Sequence, residues 1–262
     1  MGDSPISATL VAWGNAWLGG HVGLDEAVDR VERAGGPQLV ATATVLRATD
    51  IPQDGFAQAG APAAGTADVS LRAFLAELRP QGLRAFRLAL PVPGDPLGLT
   101  GPADFNTLAL DAGQAAIAEL PGRCLGLVPA PDVRGSSYSG TRWTAMPAAT
   151  AVPDLPSLGE AERELHEAMR AATEALSSVH GPGTAERPAL GYAEGLAPGY
   201  PPRAHRVAAL CTRLAVALRA ADDRGLTAHQ IATRARALRE LDRAVRRAQV
   251  ASHHAHGDRP VA

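Results

Sequence analysis

The sequence predicts an α/β fold: a small, mostly parallel sheet with flanking helices over residues 1–150, followed by a three-helix part over 151–262. Three observations carry this expectation. In the first part, short apolar and β-branched runs alternate with stretches whose apolar residues recur at helical spacing. A Pro/Ala-rich segment, PAATAVPDLPS at 147–157, interrupts the pattern. Beyond it only helical periodicity remains.

Taken in order, Ser4-Pro5 opens a helix as N-cap and first-turn proline, with Ile6, Leu10, Trp13 and Trp17 on one face. The Trp pair reads as a core anchor. A second helix covers Leu24 to Ala34, turns Ala27, Val28 and Val31 inward and stops at Gly35-Gly36. QLVATATVL, 38–46, is a buried strand, and residues 48–68, rich in Ala, Gly, Pro and Gln, form an exposed loop. Leu71, Phe74, Leu75 and Leu78 mark the next helical face. LRAFRLAL, 83–90, is a strand with Phe86, Leu88 and Leu90 on one side and Ala85, Arg87 and Ala89 on the other. The spacing then predicts a helix over Thr107–Leu120, a strand at RCLGLVP and a last strand at 141–147. Two helical crossovers make the first three strands parallel; the short final connection makes the last one antiparallel.

In the second part, Ser157 and Glu160 form a capping-box pattern ahead of the stripe Leu158, Ala161, Leu165, Met169, Ala172 and Leu176. Residues 180–202 read as loop. Val207, Leu210, Cys211, Leu214 and Leu218 form a second stripe. A second capping box, Thr227 with Gln230, precedes a third stripe of Ile231, Ala235, Leu238, Leu241 and Val245. The three stripes should share one core. The tail after about residue 252 is expected to be disordered, with His253, His254 and His256 offering only adventitious metal binding; no metal site is expected.

Composition excludes several chemistries. All 25 basic residues are Arg, so no phosphate-loop Lys, Schiff-base Lys or kinase strand Lys exists. The Gly135-Ser136-Ser137-Tyr138-Ser139-Gly140-Thr141-Arg142 run has phosphate-loop glycine spacing but Thr in the Lys place, and reads as a turn. His166-Glu167 lacks the second histidine of a zinc-protease motif, because position 170 is Arg. There is no G-x-G-x-x-G fingerprint, and no cofactor is expected. Two distant cysteines in apolar surroundings, Cys124 and Cys211, read as reduced core thiols of a cytoplasmic protein. The N-terminus is a poor signal peptide, and no apolar run has membrane-spanning length. A formal net charge of -2 supplies no field for nucleic acid.

Two constellations remain. The first is RLALPVPGDPLGLTGPADFN, 87–106, a strand leaving through a rigid Pro/Gly loop. LALPVPGD and LGLVPAPD (125–132) echo each other as strand, Pro-x-Pro, Asp. Parallel strands would bring both to one sheet edge, where open α/β sheets bind ligands. Arg87, Asp95, Asn106 and Asp132 are the candidate ligand-binding residues. The bland reading makes Arg87 an ion-pair partner within the sheet layer and Asp95 part of a turn, with Asp104 capping the next helix. The second constellation is Arg236, Arg239, Arg243, Arg246 and Arg247 on the last helix, a face that could meet an acidic protein or a nucleic-acid backbone, although a solvated, salt-bridged surface is the expected reading.

FRLALPVPGDPLGLTGPADFN, LGEAERELHEAMRAATEAL and DDRGLTAHQIATRARALRELDRAVRRA resemble segments of a group of uncharacterised proteins of high-GC bacteria, whose type segment is LRLALPVPGDPLGL. The resemblance implies no activity. The sequence therefore points to a non-enzymatic interaction or regulatory protein, whose partner is another protein or a second copy. The alternative is a small-ligand binder or enzyme with its site at the 91–106 edge. Neither membrane nor specific nucleic-acid binding is expected.

Overall fold

The computed structural model describes residues 4–42, 67–135, 137–177, 195–219 and 228–257. Helices α1 (Ile6–Leu18) and α2 (Leu24–Gly35) lead into β1 (Gln38–Thr42). Strand β2 (Ala67–Ser70), helix α3 (Leu71–Leu78), strand β3 (Ala85–Ala89) and helix α4 (Ala103–Ala112) follow. Strands β4 (Ala115–Leu120), β5 (Arg123–Arg134) and β6 (Tyr138–Ala148) complete one six-stranded sheet of order β2-β1-β6-β5-β4-β3.

The expected mostly parallel sheet is corrected here to a mixed one. Only β1 and β6 pair in parallel; every other neighbouring pair is antiparallel. The cause is the segment 113–120. Ala-rich and of high helix propensity, it continues the periodicity of the preceding helix. Gly113 nevertheless stops α4 in the left-handed conformation, with its N–H bonded to Leu110 O. Ala115–Leu120 then becomes a strand hydrogen-bonded on both sides, to β3 and to β5. Its small side chains let helices lie close, and Ala116, Ala118 and Ile117 are fully buried. Strands β3 and β5 still run in the same direction, but β4 separates them.

The other missed strand, β2, is short. Its last residue, Ser70, caps α3 by accepting the Ala73 N–H at 3.2 Å. The expected loop 48–68 and the end of the strand expected at 38–46 fall largely outside the described residues.

The C-terminal part contains α5 (Leu158–Ser177), α6 (Pro202–Arg219) and α7 (Ala228–His254), with a 3-10 turn at Ala255–Gly257. The Ser157–Glu160 capping box forms: the Ser157 N–H donates to Glu160 Oε2 at 2.9 Å and the Glu160 N–H to Ser157 Oγ at 3.3 Å. The Ser157 hydroxyl also donates to Glu160 Oε2 at 2.7 Å, and that bond first, then the one from the Ser157 N–H, holds the Glu160 carboxyl below its ordinary pKa. Leu165, Ala172, Val207, Cys211, Leu241 and Val245 share one cluster, as the three stripes predict. The Thr227–Gln230 box lies outside the described residues.

The disorder expected after about residue 252 is corrected for residues 253–257; residues 258–262 lie outside the described residues. The chain stays helical through Gly257; His253 is buried and His254 nearly so. Apolar neighbours explain it: Val250, Ala251 and Ala255 are buried, and Val250 joins the core beneath the sheet. A second cluster draws Trp13, Ala16 and Ala27 from the N-terminal part and Leu196, Tyr200, Ala204 and Ala255 from the C-terminal part. The two parts thus share core. Among the described residues no helix is long and apolar enough to cross a membrane.

Candidate functional site

β3 is the outer strand of the sheet, and its unpaired backbone groups would invite another strand. Side chains occupy them instead. Asn15 of α1 accepts the Phe86 N–H at 2.7 Å and donates to Phe86 O at 2.9 Å, as a neighbouring peptide group would. His254 Nε2 accepts the Leu88 N–H at 3.1 Å. Arg246 Nη1 donates to Leu90 O at 2.9 Å. Gly14 makes the first contact possible: a Cβ there would stand 2.7 Å from the Phe86 ring. The clamp continues inward, where the Asn15 amide donates to Tyr200 Oη and the Tyr200 hydroxyl donates to His253 O.

This environment sets the ionisation of its members. His254 can accept from Leu88 only while Nε2 is unprotonated. Burial, with the neighbouring His253 and Arg87 charges, lowers its pKa to about 4. His253 donates from Nδ1 to Gln249 O at 2.7 Å, and burial lowers it to about 4 as well. Burial raises the Tyr200 phenol and pushes the Cys211 thiol up to about 12.

Past Leu90 the chain forms a miniature hairpin. Val92 and Asp95 exchange both backbone hydrogen bonds, and the Leu90 N–H donates to Leu97 O. Pro93 and Gly94 make the corner; Gly94 has φ +82°, which the third position of a Pro-Gly turn requires. The hairpin tip is tied to α7. Arg246 Nη2 donates to Asp95 Oδ2 at 3.0 Å while its Nε donates to Asp242 at 3.0 Å. Asp95 and Arg246 side chains are only 18% and 14% exposed, so screening leaves this pair much of its strength.

The tie leaves a cleft of about 690 Å³ between the tip, the end of α6 and the middle of α7. Val92 and Pro93 form one wall; Ala215, Leu218 and Leu238 supply apolar surface opposite. Arg239 and Arg243 line the α7 side, beside the carboxylates Glu240 and Asp242.

The two constellations read from the sequence therefore meet. Asp95 from the loop lies with Arg239, Arg243 and Arg246 from the helix. The other three candidate ligand residues have separate partners. Arg87, buried, places Nε 2.6 Å from Glu119 on β4 and Nη2 3.9 Å from Cys124. Asn106 accepts the Gly101 N–H at 3.1 Å. Asp132 is paired with Arg134 in the β5–β6 hairpin at 2.8 Å. Among the described residues no hydrogen bond or ion pair joins any two of Arg87, Asp95, Asn106 and Asp132. Asp104 lies in the first turn of α4 and gives no cap bond. On the Arg face, Arg247 reaches Glu164 of α5 at 3.3 Å, and Arg243 lies 3.9 Å from Asp95. Arg236 and Arg239 are exposed and form no ion pair among the described residues. Asn15, Tyr200 and His254 carried one sequence signal: an Asn between two Trp on an apolar helix.

Among the described residues no group of three or more His, Cys, Asp or Glu is placed to hold a metal ion. Comparison with known proteins gives relatives of uncharacterised role. The chain is 33% identical over 190 residues to the uncharacterised protein Rv1486c of Mycobacterium tuberculosis, covering 66% of this chain and 64% of that protein. It is 34% identical over 192 residues to the uncharacterised protein MAV321 of Mycobacterium avium, covering 66% of this chain and 61% of that one. The uncharacterised protein ML1804 of Mycobacterium leprae is 30% identical over 209 residues, covering 66% and 65%. The matches thus span somewhat under two thirds of these relatives. No solved structure matches. The family model for the N-terminal domain of Rv1486c-like proteins matches residues 7–158 and that for the C-terminal domain matches 159–250, so the chain belongs to the Rv1486c-like protein family.

Proposed function

We propose that this protein is a non-enzymatic interaction module whose cleft, between the hairpin tip and α7, holds a segment of a partner protein. The observation that carries the reading is the cleft's combination of surfaces. It offers half-buried Leu218 and Leu238 beside exposed Arg239 and Arg243. Its volume falls in the range of small-molecule pockets. Such pockets close over most of their ligand, whereas this cleft is broad and open to solvent. The fixed polar groups of the alternative, a small-ligand or catalytic edge, already have partners in the fold: Arg87 with Glu119, Asn106 with Gly101, Asp132 with Arg134. Arg239 and Arg243 are the partner-facing part of the predicted Arg face within the cleft, Arg236 extends the exposed row along α7 beyond the cleft lining, and Arg246 and Arg247 hold the face in place. The buried free thiols Cys124 and Cys211 support a cytoplasmic location.

A photo-crosslinking residue at position 239 tests this in a native-host cell. A defined protein adduct is expected, absent when the crosslinker stands at exposed Val133 on the far hairpin. A small molecule that co-purifies with the protein and raises its melting temperature, with that rise lost in Asp132→Ala, would favour the alternative instead.

A further inference from the structure

We infer that the occupant of the cleft is an amphipathic α-helix of a partner protein whose polar margin is acidic. The inference rests on the docking reading above and names the partner's chemistry. The first support is charge arrangement. Arg236, Arg239 and Arg243 stand at i, i+3 and i+7 on α7, one exposed row about 10 Å long at 1.5 Å per residue. Arg236 and Arg239 have no carboxylate partner among the described residues, and Arg243 only a 3.9 Å approach to Asp95. Carboxylates at the same spacing on a second helix match this row. Arginine forks favour carboxylates in bidentate geometry.

The second support concerns the backbone. An extended segment binds by adding to a sheet edge. That mode is closed here. Val92 and Asp95 satisfy each other, the Leu90 N–H goes to Leu97, and Leu90 O is taken by Arg246. Further back, Asn15 and His254 hold the β3 edge. The cleft therefore presents side chains rather than a ladder, and an occupant must bring its own satisfied backbone, which a helix does. The apolar surface of Leu218, Leu238, Ala215 and Val92 receives its apolar face. Nucleic acid is disfavoured because the lining has no aromatic side chain for a base to stack on and offers apolar surface instead.

Fluorescence anisotropy on the full chain decides it. The probes are a labelled helix-forming peptide of about 20 residues with a Leu face flanked by Glu, its Gln counterpart, a Glu peptide with Leu replaced by Ser, and a DNA duplex. The Glu–Leu helix is expected to bind saturably and about tenfold more tightly than the others. Arg239→Glu with Arg243→Glu should weaken it about tenfold or more, Leu238→Ser should weaken it too, and Arg84→Glu, exposed elsewhere, should not. Thermal melts establish that each variant remains folded. Equal binding of the Gln helix, still sensitive to Leu238→Ser, would overturn the acidic partner while leaving docking in place. Tighter binding of DNA, lost with the two Arg changes, would make the row a nucleic-acid surface. Failure of every peptide overturns the inference, and the crosslink at position 239 then judges the docking reading separately.

Discussion

Arg246 gathers oxygen acceptors from three places: Leu90 at the end of β3, Asp95 on the hairpin and Asp242 one turn earlier on α7. Charge-assisted bonds of this kind are shorter and stronger than neutral ones. Asp95→Ala and Arg246→Ala should each destabilise the protein, and a double-mutant cycle should give a coupling of about 0.5–3 kcal/mol. Additive effects in urea unfolding would show that the hairpin is not held by this pair. His253 and His254 give a second expectation. Both titrate near 6.5 when unfolded and near 4 when folded, chiefly because burial penalises the charged form. The unfolded chain therefore takes up protons that the native state refuses. The stabilisation is complete above about pH 6.5 and is lost as pH falls towards 4, by on the order of 3 kcal/mol for each histidine as an upper bound. Urea midpoints measured from pH 7.5 to 4.5 should fall accordingly, and His254→Gln should flatten the fall. An unchanged slope in that variant would mean that His254 is not the titrating group.

At the scale of elements, close approach of helix to sheet decides much of the packing. Phe105 of α4 lies directly on Gly126 in β5, where a Cβ would collide with its ring. Gly126→Ala should therefore cost about 1–3 kcal/mol through overpacking. A neutral effect on the denaturation midpoint would show that α4 can lift without penalty. In the helical part, Leu165 is fully buried at the junction of α5 with α6 and α7. Leu165→Ala should cost about 2–5 kcal/mol, the range for a buried leucine that leaves a cavity. Leu214 is only half-buried and should cost less. β5 shows a different economy: beyond residue 128 it pairs with β6 alone. Pro129 and Pro131 stand there, supplying no N–H to an intruding strand. The Pro-x-Pro echo thus has a structural use on β5, and on β3 it shapes the hairpin.

Across the whole molecule the N- and C-terminal parts are not independent. Val250 of α7 belongs to the core under the sheet, and Trp13 and Ala16 of α1 belong to the cluster around Tyr200. The full chain should unfold in one transition, with Trp fluorescence and far-UV circular dichroism coinciding. A fragment ending at residue 158 should lack cooperative unfolding and bind a hydrophobic dye, because it exposes the faces that α7 and Tyr200 cover. A fragment that melts cooperatively on its own would show that the shared core is dispensable.

Local pattern alone determined the inward faces of α2 and α3, the strand at β3, the capping box at Ser157, the three-stripe helical core and the family resemblance. Each depends on residues a few positions apart, where side-chain periodicity and backbone hydrogen bonding act directly. Lysine-dependent chemistry was excluded on the same level, by composition. The tertiary structure decided the rest. Ala115–Leu120 is helical by propensity and a strand only because β3 and β5 pair with it on both sides. The last turns of α7 look like a polar tail until β3 supplies the Leu88 N–H for His254 and the sheet core receives Val250. The loop and the Arg face, each ambiguous alone and about 150 positions apart, become one cleft because Arg246 bonds to Asp95. Such contacts are set by which surfaces are buried together. That depends on the closure of the whole chain, and no window of sequence contains it.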